Sequence, residues 1–519
     1  MKKLILLIIP VLLTLSCADL DVAPKTGTTA NNIFIDAQAY RQYLAKIYGS
    51  LSLTGQDGPA GQGDLTIIND EGFTSYIRAY WKAQELPTDE AVITWNDAGI
   101  QDLNTQTWSS DNQFVRVLYY RIFYLVSLTN DFMRQSTEET MDANGVPLED
   151  RDEIGHYRAE ARFLRALAYW HALDLFRNVP LITTISGEFP KQSNATQLFD
   201  FIQSELNDIE PLMADPRTNE YGRADRAALW ALRAKLNLNA QVYIGEDHFS
   251  EVITDCNNII ASGYNIEPAY KDLFNADNHN SGELIFTLPA DGVNSQSWGT
   301  TTFLVHAAVG GELMAPADYG IDGGWEGLRT TSVFVSKFSD ISGDTDSRAN
   351  FYSDGQTLQI EDLQTFSNGY AVPKFTNLTA NGSVGSNTTH VDTDYPMFRL
   401  GDIYLMYAEA HLRGGGGDAS TALNYVNALR TRAYGDASGN ITSSALTLDF
   451  ILDERSRELH WEATRRVDLI RFGRFTESGV WPWKGGEMSG VVTESYLNIF
   501  PIPAFELNAN PNMKQNPEY

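Results

Sequence analysis

From Glu153 to Phe176 the chain places Ala161, Leu164, Ala168 and Leu175 on one helical stripe, which Phe163, Leu167 and Trp170 widen. Apolar residues three and four apart define a helix face, and Asn178 with Pro180 close the segment because proline cannot continue a helix. A stripe this broad needs cover on more than one side. Further helical patterns supply it over 195–213, 223–243 and 249–261, the second reading RADRAALWALRAKLNLNAQVYI. Its alanines, again three and four apart, let neighbouring helices approach closely.

Paired antiparallel helices of this kind resemble tetratricopeptide units. Another helix begins near Ile33 (IFIDAQAYRQYLAKIYGSL) and is broken by residues 55–64, GQDGPAGQGD, where four glycines and a proline favour a turn-rich loop. Short β-like runs, ELIFTLPA and TTFLVHAAV, mark about 265–397 as a loop-rich insertion, where binding residues tend to collect. FRLGDIYLMYAEAHL, the turn Gly414–Gly417 and ALNYVNALRTRA read as a helical hairpin. A last helical block, LDFILDERSRELHWEATRRVDLIRF, precedes an irregular tail. The expected architecture is mainly α, one large helical body over 33–519 with the insertion built into it.

Lys2 and Lys3 precede an apolar run from Leu4 to Leu15 that ends at Ser16 and Cys17. A charged start, a short apolar stretch and a small residue before cysteine form an export signal. The run falls short of the roughly twenty apolar residues that cross a bilayer. Cleavage before Cys17 makes 1–16 a lipoprotein signal, Cys17 the lipidated residue and 17–32 a polar tether, although Thr14 stands where such sites usually carry leucine. An ordinary secretory signal with a chance cysteine is the alternative. Two or more acyl chains anchor a protein stably without spanning the membrane. With Cys17 lipidated, Cys256 has no intrachain partner, and its place in EVITDCNNII reads as a small buried residue.

The formal net charge of −29 falls to −31 when Lys2 and Lys3 leave with the signal. Polyanions are repelled by such a surface, which argues against nucleic acid and acidic membranes as ligands and leaves neutral ligands unopposed. No HExxH, CxxC, GxSxG or Walker-type loop occurs, so the usual carriers of zinc, redox, nucleophile and phosphate chemistry are missing. Asp344 with Asp346 and Asp392 with Asp394 are acidic clusters that do not continue into an EF-hand loop, and no metal or cofactor is assigned.

Four blocks in order, AEARFLRALAYWHALDLFRNVPLI (159–182), YPMFRLGDIYLMYAEAHLR (395–413), DERSRELHWEATRRVDLIRFGRF (453–475) and FPIPAFELNANPNMKQNPEY at the end, resemble the SusD/RagB family of nutrient-uptake lipoproteins. The stretch 55–97 is similar to the branch of that family that binds starch-like or fructan-like polysaccharides. The resemblance implies a SusD-like α/α superhelix of four tetratricopeptide-like helix pairs under a loop-rich carbohydrate face. It also implies a surface-facing outer-membrane lipoprotein that captures glycan and closes it into a SusC-like, TonB-dependent barrel, with no covalent chemistry.

A neutral sugar offers apolar CH faces and a ring of hydroxyls, so its site needs flat aromatic platforms and a few planar hydrogen-bonding groups. Of the ten tryptophans, Trp170, Trp230 and Trp461 lie on helical stripes and read as core, whereas Trp95, Trp108, Trp298, Trp325, Trp481 and Trp483 fall in irregular stretches. Trp95, Trp298 and Trp325 occupy contexts that resemble sugar-stacking positions of the starch-binding branch, with Trp298 standing where the family typically has Tyr; loop packing is the alternative for each. Arg78, Asp64, Asn96 and Tyr319 are the candidate polar partners, since guanidinium and carboxylate match vicinal hydroxyl pairs. A salt bridge to Glu71 or Glu85 is the alternative for Arg78. Trp81, three residues on, is equally a platform or core. Opposite charges three and four apart in 453–475 suit an ion network on a helix. The rival functions are an α-helical glycoside hydrolase, with Asp89 and Glu90 as the suspect pair, and a peptide- or protein-binding scaffold.

Overall fold

The computed structural model describes residues 33–519. Cys17, the signal and the tether therefore lie outside the described residues. Helices α1 (Ala37–Gly49), α2 (Tyr76–Glu85), α3 (Gln113–Gln135), α4 (Arg151–Phe176), α5 (Ala195–Ile209), α6 (Arg226–Leu238) and α7 (Phe249–Ile260) form the first part of the scaffold. After the short α8 (Thr301–Ala307) in the insertion come α9 (Leu400–Leu412), α10 (Ala419–Tyr434), α11 (Leu448–Leu459) and α12 (Arg465–Arg471). The molecule is mainly α, as its periodicity implies. Helix α4 is the central one: α1, α3 and α5 all pack on it, and Ala161, Leu164, Ala168 and Leu175 have no exposed surface. The stack then continues with α6 on α7, α7 on α9 across the insertion, and α9 on both α10 and α11.

Local chemistry sets the helix starts. Asp36 accepts from the amide of Ala39, Asn112 from Phe114 and Val115, and Asp225 from Ala227 and Ala228, so side chains satisfy amides that no helical turn can reach. Asn194 and Gln197 form a reciprocal capping box at α5.

Three elements depart from the sequence reading. Helix α3 was not expected, because QFVRVLYYRIFYLVSLTNDFMRQ is rich in aromatic and β-branched residues that favour strands; burial against α4 overrides that preference. The run TTFLVHAAV, read as β-like, contains helix α8. The last helical block is two helices, broken where Trp461 and Ala463 take positive φ angles of 63° and 58°. The insertion holds little sheet: β1 (Val92–Ile93) pairs antiparallel with β3 (Leu328–Arg329), and β2 (Leu284–Leu288) with β4 (Tyr395–Arg399).

Charges of the 453–475 block are structural, but mostly through distant partners rather than along one helix. Fully buried Arg399 bonds Glu283, Glu458 and Glu462, and Arg348 bonds Asp346, Glu454 and Glu458. Arg455 joins Asp402 to Asp468. This network ties the insertion and β4 to α9, α11 and α12. Asp89 and Glu90, the suspect hydrolytic pair, sit in a separate buried ion pair: Arg465 grips Asp89 at 2.7 and 2.8 Å, Ser456 donates to Glu90 at 2.6 Å, and both side chains are buried. Cys256 is fully buried, and burial pushes its thiol well above the ordinary range. Among the described residues no group of three metal-ligating side chains occurs. Asp346 instead pairs with Arg348, and Asp392 accepts from the amides of Gly292 and Ser386.

Candidate functional site

The strand pair β1–β3 explains how two distant tryptophans meet. Val92 faces Arg329 and Ile93 faces Leu328, so the chain leaves β1 into Trp95 at the end where Trp325 enters β3. The amide of Thr94 donates to Gly327 O at 2.9 Å, and the indole N–H of Trp95 donates to Trp325 O at 3.1 Å. Gly327 is required by this approach, since a Cβ there would sit 2.8 Å from the Trp95 ring. Trp325 in turn stacks on His306 of α8, with ring centroids 4.8 Å apart and planes 23° apart.

Trp298 arrives from the loop before α8. Two glycines let that loop sit on the turn leading into α2: a Cβ on Gly299 would lie 2.0 Å from Ser75 Cβ, and one on Gly72 would lie 2.7 Å from Trp298 Cβ. The three indoles form an arc. Trp95 and Trp325 have centroids 6.4 Å apart with planes tilted 43°, and Trp325 and Trp298 are 5.9 Å apart with planes tilted 50°. All three are half-buried, held but not sealed. They line an open cleft of about 500 Å³ together with Asp70, Phe73, Arg78 and Asp97.

Arg78 forms the floor. Its guanidinium carbon lies 4.2 Å from the Phe73 ring centroid and 4.5 Å from that of Phe303, and Nη1 donates to Trp298 O at 3.1 Å. Burial lowers it to about 10, offset in part by Asp70 and Asp97, so it remains a cation at neutral pH. The alternative for Arg78, a salt bridge to Glu71 or Glu85, does not form, because Glu71 accepts from Thr54 and Gly61 and Glu85 from the amide of Thr464. Among the described residues neither Nε nor Nη2 has a hydrogen-bond partner, so the guanidinium, which lines the cleft, keeps donors unspent. One turn on, Lys82 is fully buried beside Phe73 and Phe114, and burial followed by the Arg78 charge pushes its ammonium well below the ordinary range.

Other sequence candidates lie elsewhere. Asp64 does not line the cleft: Lys46 at 3.1 Å and Arg121 at 3.5 Å hold it as the ion-paired end of the glycine loop. Trp81 is core, 1 % exposed, with its N–H donating to Trp461 O at 2.9 Å. Tyr319 is half-buried outside the cleft lining, and its carbonyl accepts from Asn377. Asn96 is exposed beside Trp95, while its neighbour Asp97 is the residue that reaches the cleft. Trp108 and Trp481, read as irregular, are buried, and Trp483 donates to Ile360 O. The residues missed were Asp70, Phe73 and Asp97. Asp97 stands two positions after Trp95, and Asp70 caps the turn that holds Phe73 by accepting from Gly72 N at 2.9 Å.

The blocks that carry the sequence resemblance now have counterparts among known proteins. The SusD family model matches residues 283–519. A protein of Bacteroides thetaiotaomicron named starch-binding protein SusD is 34 % identical, over 96 % of this chain and 95 % of its own. The chain belongs to the SusD family. SusD-like protein P2 of Formosa agariphila is 25 % identical over the full length of both chains. The fold is shared with surface glycan-binding protein A from Bacteroides thetaiotaomicron, solved with laminarihexaose, at a TM-score of 0.70 and 18 % identity over 93 % of this chain and 99 % of that one. The 34 % identical relative and the laminarihexaose-bound neighbour are named as binding proteins, not enzymes, which agrees with the burial of Asp89 and Glu90.

Proposed function

We propose that this SusD-family protein captures a neutral oligosaccharide or polysaccharide, starch-like or fructan-like, in the tryptophan cleft and passes it unaltered to a SusC-like TonB-dependent outer-membrane barrel. The observation that carries the reading is the arc of Trp95, Trp325 and Trp298, tilted 43° and 50° in succession around the Arg78 floor. Successive tilts of this size suit a chain that curves, whereas a flat ribbon needs coplanar platforms. Curvature and the name of the 34 % identical relative both favour the starch-like glycan. Asp70 and Asp97 are the carboxylates placed to accept sugar hydroxyls, and the Arg78 guanidinium the donor.

Export with residues 1–16 removed, lipid on Cys17 and a tether over 17–32 place the 33–519 body at the outer cell surface in this reading. Among the described residues no helix is long and apolar enough to cross a membrane.

Affinity electrophoresis in gels of amylopectin, laminarin and inulin tests the reading. The wild type is retarded in at least one, and Trp95→Ala and Trp325→Ala each lose about 1–3 kcal/mol of affinity. A wild type retarded in none of them points to a peptide or protein ligand. Steady release of reducing ends from the same glycans points to a hydrolase.

A further inference from the structure

Tyr221 is 51 % exposed and forms a ridge between two depressions, of about 210 and 290 Å³. Its ring is not free to swing. The hydroxyl donates to Asp394, which is itself buried, and Gly222 presses the turn so close to the strand end that a Cβ would lie 2.5 Å from Pro289 Cγ. An exposed aromatic already fixed in one orientation has little side-chain entropy left to lose on binding. On one side of the ring stand polar groups, Arg217, Asn219 and His279, and on the other a mainly apolar trough floored by Leu44 and Leu53 and edged by the Arg41–Glu220 ion pair. That is the combination a neutral sugar needs, a flat face with hydroxyl partners beside it.

The ridge is also near the tryptophan cleft by two separate routes. Ser295 lines the apolar trough three residues before Trp298, a span of at most about 11 Å. His390 packs on Trp298 with centroids 4.3 Å apart, and Asp394, the anchor of Tyr221, follows it by four residues, at most about 14 Å. We propose that Tyr221 and its two flanking depressions are a second subsite, outside the tryptophan cleft, that holds a further stretch of the same neutral glycan chain. The inference rests on the glycan reading of the cleft. A second contact on a chain already held is intramolecular, so it raises affinity for long glycans and adds nothing for short ones.

The test titrates the mature protein with amylopectin, laminarin and inulin, each beside its own trisaccharide, for wild type, Tyr221→Ala, Tyr221→Trp and Trp95→Ala. Tyr221→Ala is expected to weaken binding of the preferred polysaccharide by about five- to tenfold or more and to leave its trisaccharide within about twofold. Tyr221→Trp keeps a flat face but loses the hydroxyl anchor, and is expected to recover part of the polysaccharide binding that Tyr221→Ala loses. Equal polysaccharide affinity in wild type and Tyr221→Ala overturns the subsite, as does a loss that is the same for polysaccharide and trisaccharide. Trp95→Ala weakens both ligands, so a failure of the cleft itself, with no glycan bound by the wild type, is told apart from a failure at Tyr221. Unchanged thermal midpoints show that the exposed substitutions leave the fold intact.

Discussion

Arg78 on helix α2 donates from Nη1 to the backbone carbonyl of Trp298, 220 residues further along the chain, at 3.1 Å. One arm of the guanidinium thus fixes a platform while its other donors stay unspent, so the residue positions an indole and offers a donor at once. A lysine has the charge but not the fork. Arg78→Lys is expected to lower glycan affinity by at least about tenfold, consistent with about 1.5–3 kcal/mol for a charged hydrogen bond. Titration calorimetry checks it, and wild-type affinity in Arg78→Lys would remove the guanidinium from the site.

Trp81 and Trp95 separate stability from binding. Trp81 is enclosed against Phe303 and Trp461, so Trp81→Ala is expected to cost about 3–5 kcal/mol of folding stability in urea. Trp95 is half-buried at the cleft, and Trp95→Ala is expected to act mainly on glycan affinity. Equal losses of stability in the two variants would contradict this division.

The close approach of Gly327 to the Trp95 ring makes a methyl group a probe of platform geometry. Gly327→Ala must push the indole out of the 2.8 Å contact, because the backbone behind it is locked in the β1–β3 pair. Glycan affinity is expected to fall without loss of any aromatic residue, with overpacking costing about 1–3 kcal/mol of stability. Unaltered glycan affinity would show that the tilt between Trp95 and Trp325 is immaterial.

Glu454 reports on the buried ion network. Burial drives its carboxyl upward, but Arg348, Arg457 and Arg430 overcome this and hold it at about 2, below its ordinary 4.5. A depressed carboxylate stabilises the fold above the unfolded-state value and loses that contribution as pH falls towards the folded value. The stability difference between wild type and Glu454→Gln is therefore expected to be constant above about pH 5 and to shrink between about 4.5 and 2, by on the order of 3 kcal/mol. Denaturant titrations of both proteins across that range measure it. A difference that grows on acidification would reverse the sign.

Periodicity made α4 legible because its apolar stripe repeats at helical spacing over most of its length, and the Gly414–Gly417 turn announced the α9–α10 hairpin. It failed for α3, where Val, Tyr, Ile and Phe name a buried surface without saying which element carries it. In the cleft, the three indoles were legible as aromatics in irregular chain. Their polar neighbours were not, since Asp64 and Asp70 sit six residues apart in the same loop, and only the fold decides that Lys46 takes the first while the second faces Arg78. Arg78 and Trp81, three residues apart on α2, both touch Phe303, yet one opens to the cleft and the other is sealed behind it.

A crystal structure of the protein with a bound maltoheptaose is the most direct test. Sugar rings are expected to lie on the faces of Trp95, Trp325 and Trp298, bending with the arc, with hydroxyls on Arg78 and on the Asp70 and Asp97 carboxylates. A well-ordered oligosaccharide seated elsewhere, leaving these three indoles bare, would contradict the account.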